Sequence, residues 1–171
     1  MHTSKGLSLF ELLITLLIAS LALIIAIPSF ASLLRAQQLD SALTVVRSHF
    51  ALTRHEAIRS GTSATMMKSG EQWEDGWTVF LDANGSGTQD AEEVAIKVNE
   101  GLSSGLTLRG NGNVNSYIRY TPNGRATLTN GGYQMGTLHL CQTTSGAGYQ
   151  LRLNAGGRLS VIKLVGCTTA P

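Results

Sequence analysis

The hydrophobic pattern changes twice along the chain, and each stretch it marks off predicts a different element. From Leu7 to Ile27 the residues are apolar apart from scattered hydroxyls and one charge, Glu11. That is about the 20 residues an α-helix needs to cross a bilayer core. After Pro28 the pattern turns amphipathic: Leu39, Leu43, Val46, Phe50 and Ala57 recur three, four or seven apart, giving a helix with one apolar stripe. Arg54 and Arg59 suit the negative pole of that helix, and Gly61 is a natural stop. Unbroken from Leu7 to Ser60, it would measure roughly 80 Å at 1.5 Å per residue. Beyond Thr62, Gly, Asn, Ser and Thr punctuate short alternating runs, which read as antiparallel strands. They are expected near 62–68, 77–82, 93–99, 106–108, 116–121, 137–141, 149–154 and 160–164. The pattern contains no long linker, repeat or low-complexity tract, so one α+β domain behind an apolar anchor is predicted.

Glu11 is the odd residue of the first stretch. A carboxylate costs roughly 2.5 to 3.5 kcal/mol at the centre of a spanning helix and less near its end, so it usually has a partner. A secretory signal peptide would have a shorter apolar region before its cleavage site. The segment therefore reads as a membrane span carrying a functional acid, the plain alternative being an anchor with a stray one.

Lys5-Gly6 followed by Leu7-Ser8-Leu9-Phe10-Glu11 and a long apolar helix resembles the class III signal of type IV prepilins and type II secretion pseudopilins. Two later stretches resemble the GspH/FimT family of minor pilins and pseudopilins. ALTRHEAIRSG, residues 51–61, is similar to its Ala-Arg-Ser-Glu-Ala-Ile-Arg-Arg-Gly signature. DGWTVFLDANGSGTQDAEEV, residues 75–94, is similar to its Gly-Trp strand, polar turn and acidic return, and Gly157-Arg158 matches a late Gly-Arg. The resemblance implies a type IV pilin-like fold, a long N-terminal helix packed on an antiparallel β-sheet head. It divides the chain into a leader at 1–6, a transmembrane helix at 7–29, its amphipathic continuation at 30–61 and the head at 62–171. It also implies that a prepilin peptidase cuts after Gly6 and methylates the new amine of Leu7, that Glu11 meets the amine of a neighbouring subunit, and that Pro28 bends the helix. The expected partners are the peptidase, other minor pilins or pseudopilins and the inner membrane. The chain would cross that membrane once with its head in the periplasm, then enter a pilus or pseudopilus.

Charge is distributed unevenly although the formal net charge is only +2. Between Glu71 and Glu100 lie eight acidic residues with Lys97 the only base, whereas 101–171 has no acid and six bases: Arg109, Arg119, Arg125, Arg152, Arg158 and Lys163. Such a split reflects either partner recognition or subunit packing. Members of the FimT branch that bind DNA carry a late Gly-Arg-x-Arg. Here Gly157-Arg158-Leu159-Ser160 lacks the second arginine, and Lys163, three residues on, falls on the other face of a strand. Arg158, with Arg152, Arg125 and Lys163, is thus the candidate set for double-stranded DNA, the alternative function in natural transformation. The bland reading is that these bases offset the acidic hairpin.

Cys141 and Cys167 are the only cysteines. Outside the cytoplasm they are expected to pair, at about 3.5 kcal/mol in the chain-entropy account, the alternative being two separate buried thiols. Two cysteines without histidine at metal spacing make no zinc site. Asp82, Asn84, Ser86, Asp90 and Glu93 have the spacing of a calcium loop. The flanks read as strands, however, and Asn-Gly-Ser-Gly is good turn chemistry, so a solvated acidic hairpin is favoured over calcium. No cofactor is expected. His49, His55 and His139 are scattered, and neither a nucleophile elbow nor a dinucleotide fingerprint is present. The chain reads as an enzyme's substrate, not an enzyme.

Overall fold

A single helix, α1, takes Leu9–Ser60 in the computed structural model, which describes residues 9–167. The chain divides into two compact units, Met1–Gln38 and Leu39–Pro171, and α1 contributes to both.

In the first unit α1 buries nothing. Leu12, Leu16, Leu23, Ile24 and Phe30 are all exposed. Among the described residues this is the one helix long and apolar enough to cross a membrane. Its hydroxyls turn back on their own helix: Thr15 Oγ1 donates to Leu12 O at 2.8 Å, Ser20 Oγ to Leu17 O at 2.8 Å and Ser29 Oγ to Ile25 O at 3.3 Å. In lipid that leaves these donors satisfied without a neighbour. Pro28 lies inside the helix, where its missing N–H removes one ladder bond.

In the second unit the remainder of α1 is core. Leu39, Ala42, Val46, His49, Phe50, Thr53 and Ala57 are buried; of the predicted stripe Leu43 is only half-buried, and Ala42, His49 and Thr53 are added to it. Eight strands follow: β1 (Ala64–Lys68), β2 (Trp77–Leu81), β3 (Ala95–Asn99), β4 (Leu106–Gly110), β5 (Tyr117–Tyr120), β6 (Gly136–Gln142), β7 (Ala147–Leu153) and β8 (Leu159–Val165). They lie close to the runs predicted from alternation. The pattern did not show their division into two antiparallel sheets, ordered β3-β2-β1-β5 and β4-β6-β7-β8. Nor did it show the short 3₁₀ turns at Trp73–Asp75 and Gly112–Val114.

Both sheets supply the core: Met66, Val79 and Ile118 from the first, Leu108, Leu138, Leu140 and Leu151 from the second, all fully buried. Trp73 and Trp77 are fully buried as well. Each satisfies its indole N–H, Trp73 Nε1 donating to Val114 O at 3.0 Å and Trp77 Nε1 to His49 Nδ1 at 2.9 Å. Cys141 of β6 is bonded to Cys167, just past β8, with 5.7 Å between their Cα atoms. The bond passes over β7 at Gly148, where a Cβ would lie 2.5 Å from Cys167 Sγ.

Candidate functional site

Glu11 lies in the first turn of α1 and is exposed, near the positive pole of the helix dipole, which favours a carboxylate. Gly6 and Leu7 lie outside the described residues.

The loop joining β2 to β3 carries the residues with calcium spacing, and their carboxylates are each engaged elsewhere through at least one oxygen, Asp82 Oδ1 being buried without a hydrogen-bond partner. Asp82 is fully buried. Its Oδ2 accepts from Thr65 Oγ1 at 2.7 Å and from Gly87 N at 3.0 Å, and lies 3.5 Å from Arg119 Nε. Glu93 accepts from Ala83 N and Asp90 N, at 2.8 and 3.1 Å, and Asn84 Nδ2 donates to Asp90 Oδ2 at 2.6 Å. Carboxylates that hold a loop's own N–H groups and a guanidinium are structural anchors. Among the described residues no three His, Cys, Asp or Glu side chains gather in a metal-binding arrangement. The flanking elements are strands, as predicted, but the connection is a long loop pinned at both ends by Asp82 and Glu93.

The same pairings sort the six bases of 101–171. Arg119 faces Asp82, and Arg109 Nη2 lies 2.6 Å from Glu74 Oε1. Acidic and basic halves therefore do offset one another at these two positions. Arg125, Arg152, Arg158 and Lys163 are exposed. The register of β7 with β8 places Arg152 directly opposite Ser160, and Lys163 opposite Tyr149. Arg152 lies between buried Leu151 and Leu153, so it points away from the core. It thus stands across the ladder from the position where the second arginine is missing, while Lys163 belongs to the other face.

Arg158 follows the β7–β8 turn, and that turn is fixed by close packing. Gly157 has φ +77°, and a Cβ on it would lie 2.3 Å from Gly124 O and 2.8 Å from Tyr120 Cε1. Tyr120 Oη donates to Gly157 O at 3.2 Å, and burial pushes its phenol pKa well above the ordinary value. Arg54 Nε donates to Gly124 O at 3.0 Å, which ties α1 to the same point. Together these contacts shape a groove of ≈ 430 Å³ with Arg47, Arg54, His55 and Arg158 among its lining residues and Ile58 as exposed apolar surface. Sequence reasoning missed Arg47 and Arg54 as neighbours of Arg158. They sit seven apart on one helix face, but only the folded turn brings position 158 to them.

A family model described as "Type II transport protein GspH" matches residues 36–157. No curated protein sequence matches the chain. Among solved structures, the type IV minor pilin FimU of Pseudomonas aeruginosa shares 19% identity at a TM-score of 0.62, over 78% of this chain and 97% of that one. The minor pseudopilin EpsH from the type 2 secretion system of Vibrio cholerae shares 16% identity at a TM-score of 0.55, over 74% and 97%.

Proposed function

Because the chain belongs to the family of the type II transport protein GspH, we propose that it is a minor pilin or pseudopilin whose work is filament assembly. The observation that carries the reading is α1: residues 9–38 expose apolar side chains to their surroundings, and residues 39–60 of the same helix are core of a folded head. An element of that kind is both anchor and packing surface. Cleavage after Gly6 and methylation of the Leu7 amine by a prepilin peptidase would release the mature N-terminus. Glu11 then recruits the subunit by meeting the amine of a neighbour, an interaction that offsets the carboxylate's cost in lipid. The machine is a type IV pilus or a type II secretion pseudopilus, with the head on the periplasmic side before assembly. The chain's chemistry is that of a processed subunit rather than a catalyst.

Mass spectrometry of the membrane-extracted protein is expected to show loss of Met1–Gly6 and gain of one methyl group. Glu11→Ala should be processed normally yet fail to enter the sheared filament fraction. Normal processing of a Gly6→Asp variant together with normal incorporation of Glu11→Ala would overturn the proposal.

A second reading, capture of double-stranded DNA, is favoured by one observation: Arg152 lies across the ladder from Ser160, on the strand that leads into Arg158. Phosphate contacts from Arg152, Arg158 and Arg125 would give non-specific, salt-sensitive affinity. Gel retardation of duplex DNA by the full chain in detergent, lost in Arg152→Ala/Arg158→Ala and steeply weakened by salt, would support it. No retardation at tens of micromolar protein, roughly the range of non-specific affinity, would remove it.

A further inference from the structure

We infer that the groove between the end of α1 and the β7–β8 turn receives an acidic, partly apolar peptide segment from a neighbouring subunit of the filament. This rests on the assembly reading above and names the surface that would carry it.

Charge is the first argument. Arg47, Arg54 and Arg158 line the groove with His55, and its lining contains no Asp or Glu. The acids of the adjoining stretch of α1 are engaged elsewhere: Glu56 Oε2 accepts from Arg59 Nη2 at 2.5 Å, and Asp40 Oδ1 accepts from Tyr149 Oη at 2.6 Å. Three arginines therefore line one groove with no Asp or Glu of their own chain among its lining residues.

Geometry is the second. Arg54 is held by its Nε bond to Gly124 O, which fixes the plane of its guanidinium and leaves the terminal amines free to take a carboxylate in the paired fashion that arginine favours. Arg158 is held in position from the backbone, its N–H donating to Asn154 Oδ1 at 2.9 Å and its carbonyl accepting from Asn154 N at 3.1 Å. Arg54, whose guanidinium is already oriented, loses less entropy on binding than a free side chain would.

The apolar surface is the third, and it separates peptide from nucleic acid. Ile58 lines the groove with the cations and is 53% exposed. A duplex presents mainly phosphates and sugars on a rigid cylinder, and gives an aliphatic side chain less apolar surface to pack on than a peptide does. A peptide can set one apolar side chain on Ile58 and carboxylates on the rim. The volume of ≈ 430 Å³ is that of a small binding cleft, enough for a few side chains.

The test places the photo-crosslinker p-benzoylphenylalanine at Ala51, an exposed groove residue, in the full chain expressed in cells that assemble the filament. Irradiated filaments are analysed by peptide mapping. The expected product joins position 51 to a segment of another filament subunit that carries at least one Asp or Glu beside an apolar residue. Its yield should fall roughly tenfold or more in Arg47→Glu/Arg158→Glu, the scale of losing a charge-assisted pair, and persist in Arg47→Lys/Arg158→Lys. Reversing the captured acid to Lys should restore it in the Glu variant. Crosslinks to nucleic acid alone, a product unaffected by charge reversal, or normal incorporation with no product would each overturn the inference and leave the assembly role standing. Absence of the unsubstituted chain from the filament would overturn both.

Discussion

Gly157 and His49 are two residues whose importance comes from what surrounds them. A side chain at Gly157 meets both the positive φ and the backbone of Gly124. Gly157→Ala should therefore destabilise the protein by about 2 to 3 kcal/mol in urea unfolding, the scale of overpacking combined with backbone strain. Gly156→Ala, whose Cβ would be no closer than 3.4 Å to a neighbour, should stay within about 0.5 kcal/mol. His49 is buried, and its Nδ1 accepts the Trp77 indole N–H, a role open only to the neutral ring. Desolvation first, then the charge of Lys97, hold its pKa below the usual 6.5. The unfolded chain thus binds a proton more readily than the folded one. Its contribution to stability is complete above about pH 6.5 and is lost as pH falls below that value through the lower folded pKa. Urea midpoints measured from pH 7.5 to 5 should fall in the native protein and fall less in His49→Gln. The sequence held half of this. Position 49 lies three residues after Val46 and one before Phe50, on the stripe, but its partner is 28 residues away and no periodicity links them.

The elements most visible in the sequence are those whose side chains alternate or repeat against one core. Helix α1, β4 and β5 are of that kind. The 82–94 loop is not, because it is organised by side chains that bond to backbone and by one arginine from β5. Phe80 marks the difference. In β2 it is fully buried together with its β1 partner Thr65, on the face of the sheet opposite to Val79, where alternation predicts solvent. Asp82→Ala should cost about 3 kcal/mol by leaving the partly buried Arg119 without its acid and Thr65 Oγ1 and Gly87 N without their acceptor. It should also expose the loop to limited proteolysis before the strands are cut. Thermal unfolding with calcium and with chelator should coincide, since the carboxylates of the loop already have donors. A shift on adding calcium would revive the metal reading. Removing the Cys141–Cys167 bond as the double serine variant should lower stability by about 3.5 kcal/mol in the chain-entropy account of its separation of 26 residues, a fall of order 10 °C in melting temperature.

Across the whole molecule, family and fold were legible because the N-terminal signal and the end of α1 are local patterns. The basic groove was not, because its members come from α1 and from a turn about a hundred residues later, and only tertiary packing joins them. Charge asymmetry pointed at the right residues for an incomplete reason. Arg109 and Arg119 neutralise acids of the same chain, and what remains exposed is spread over two faces. The disulfide also decides how the head would respond to a pull on its C-terminal end. β8 is the last strand and the outermost of its sheet, so a pull on the chain beyond it would open the ladder rung by rung, the geometry of least resistance. The bond at Cys167 hands that load straight to Cys141 in β6, so the loaded path bypasses residues 142–166. Arg158 lies within that bypassed segment, whereas Arg47, Arg54 and Tyr120 stand upstream of Cys141. Force would reach one wall of the groove and spare the other.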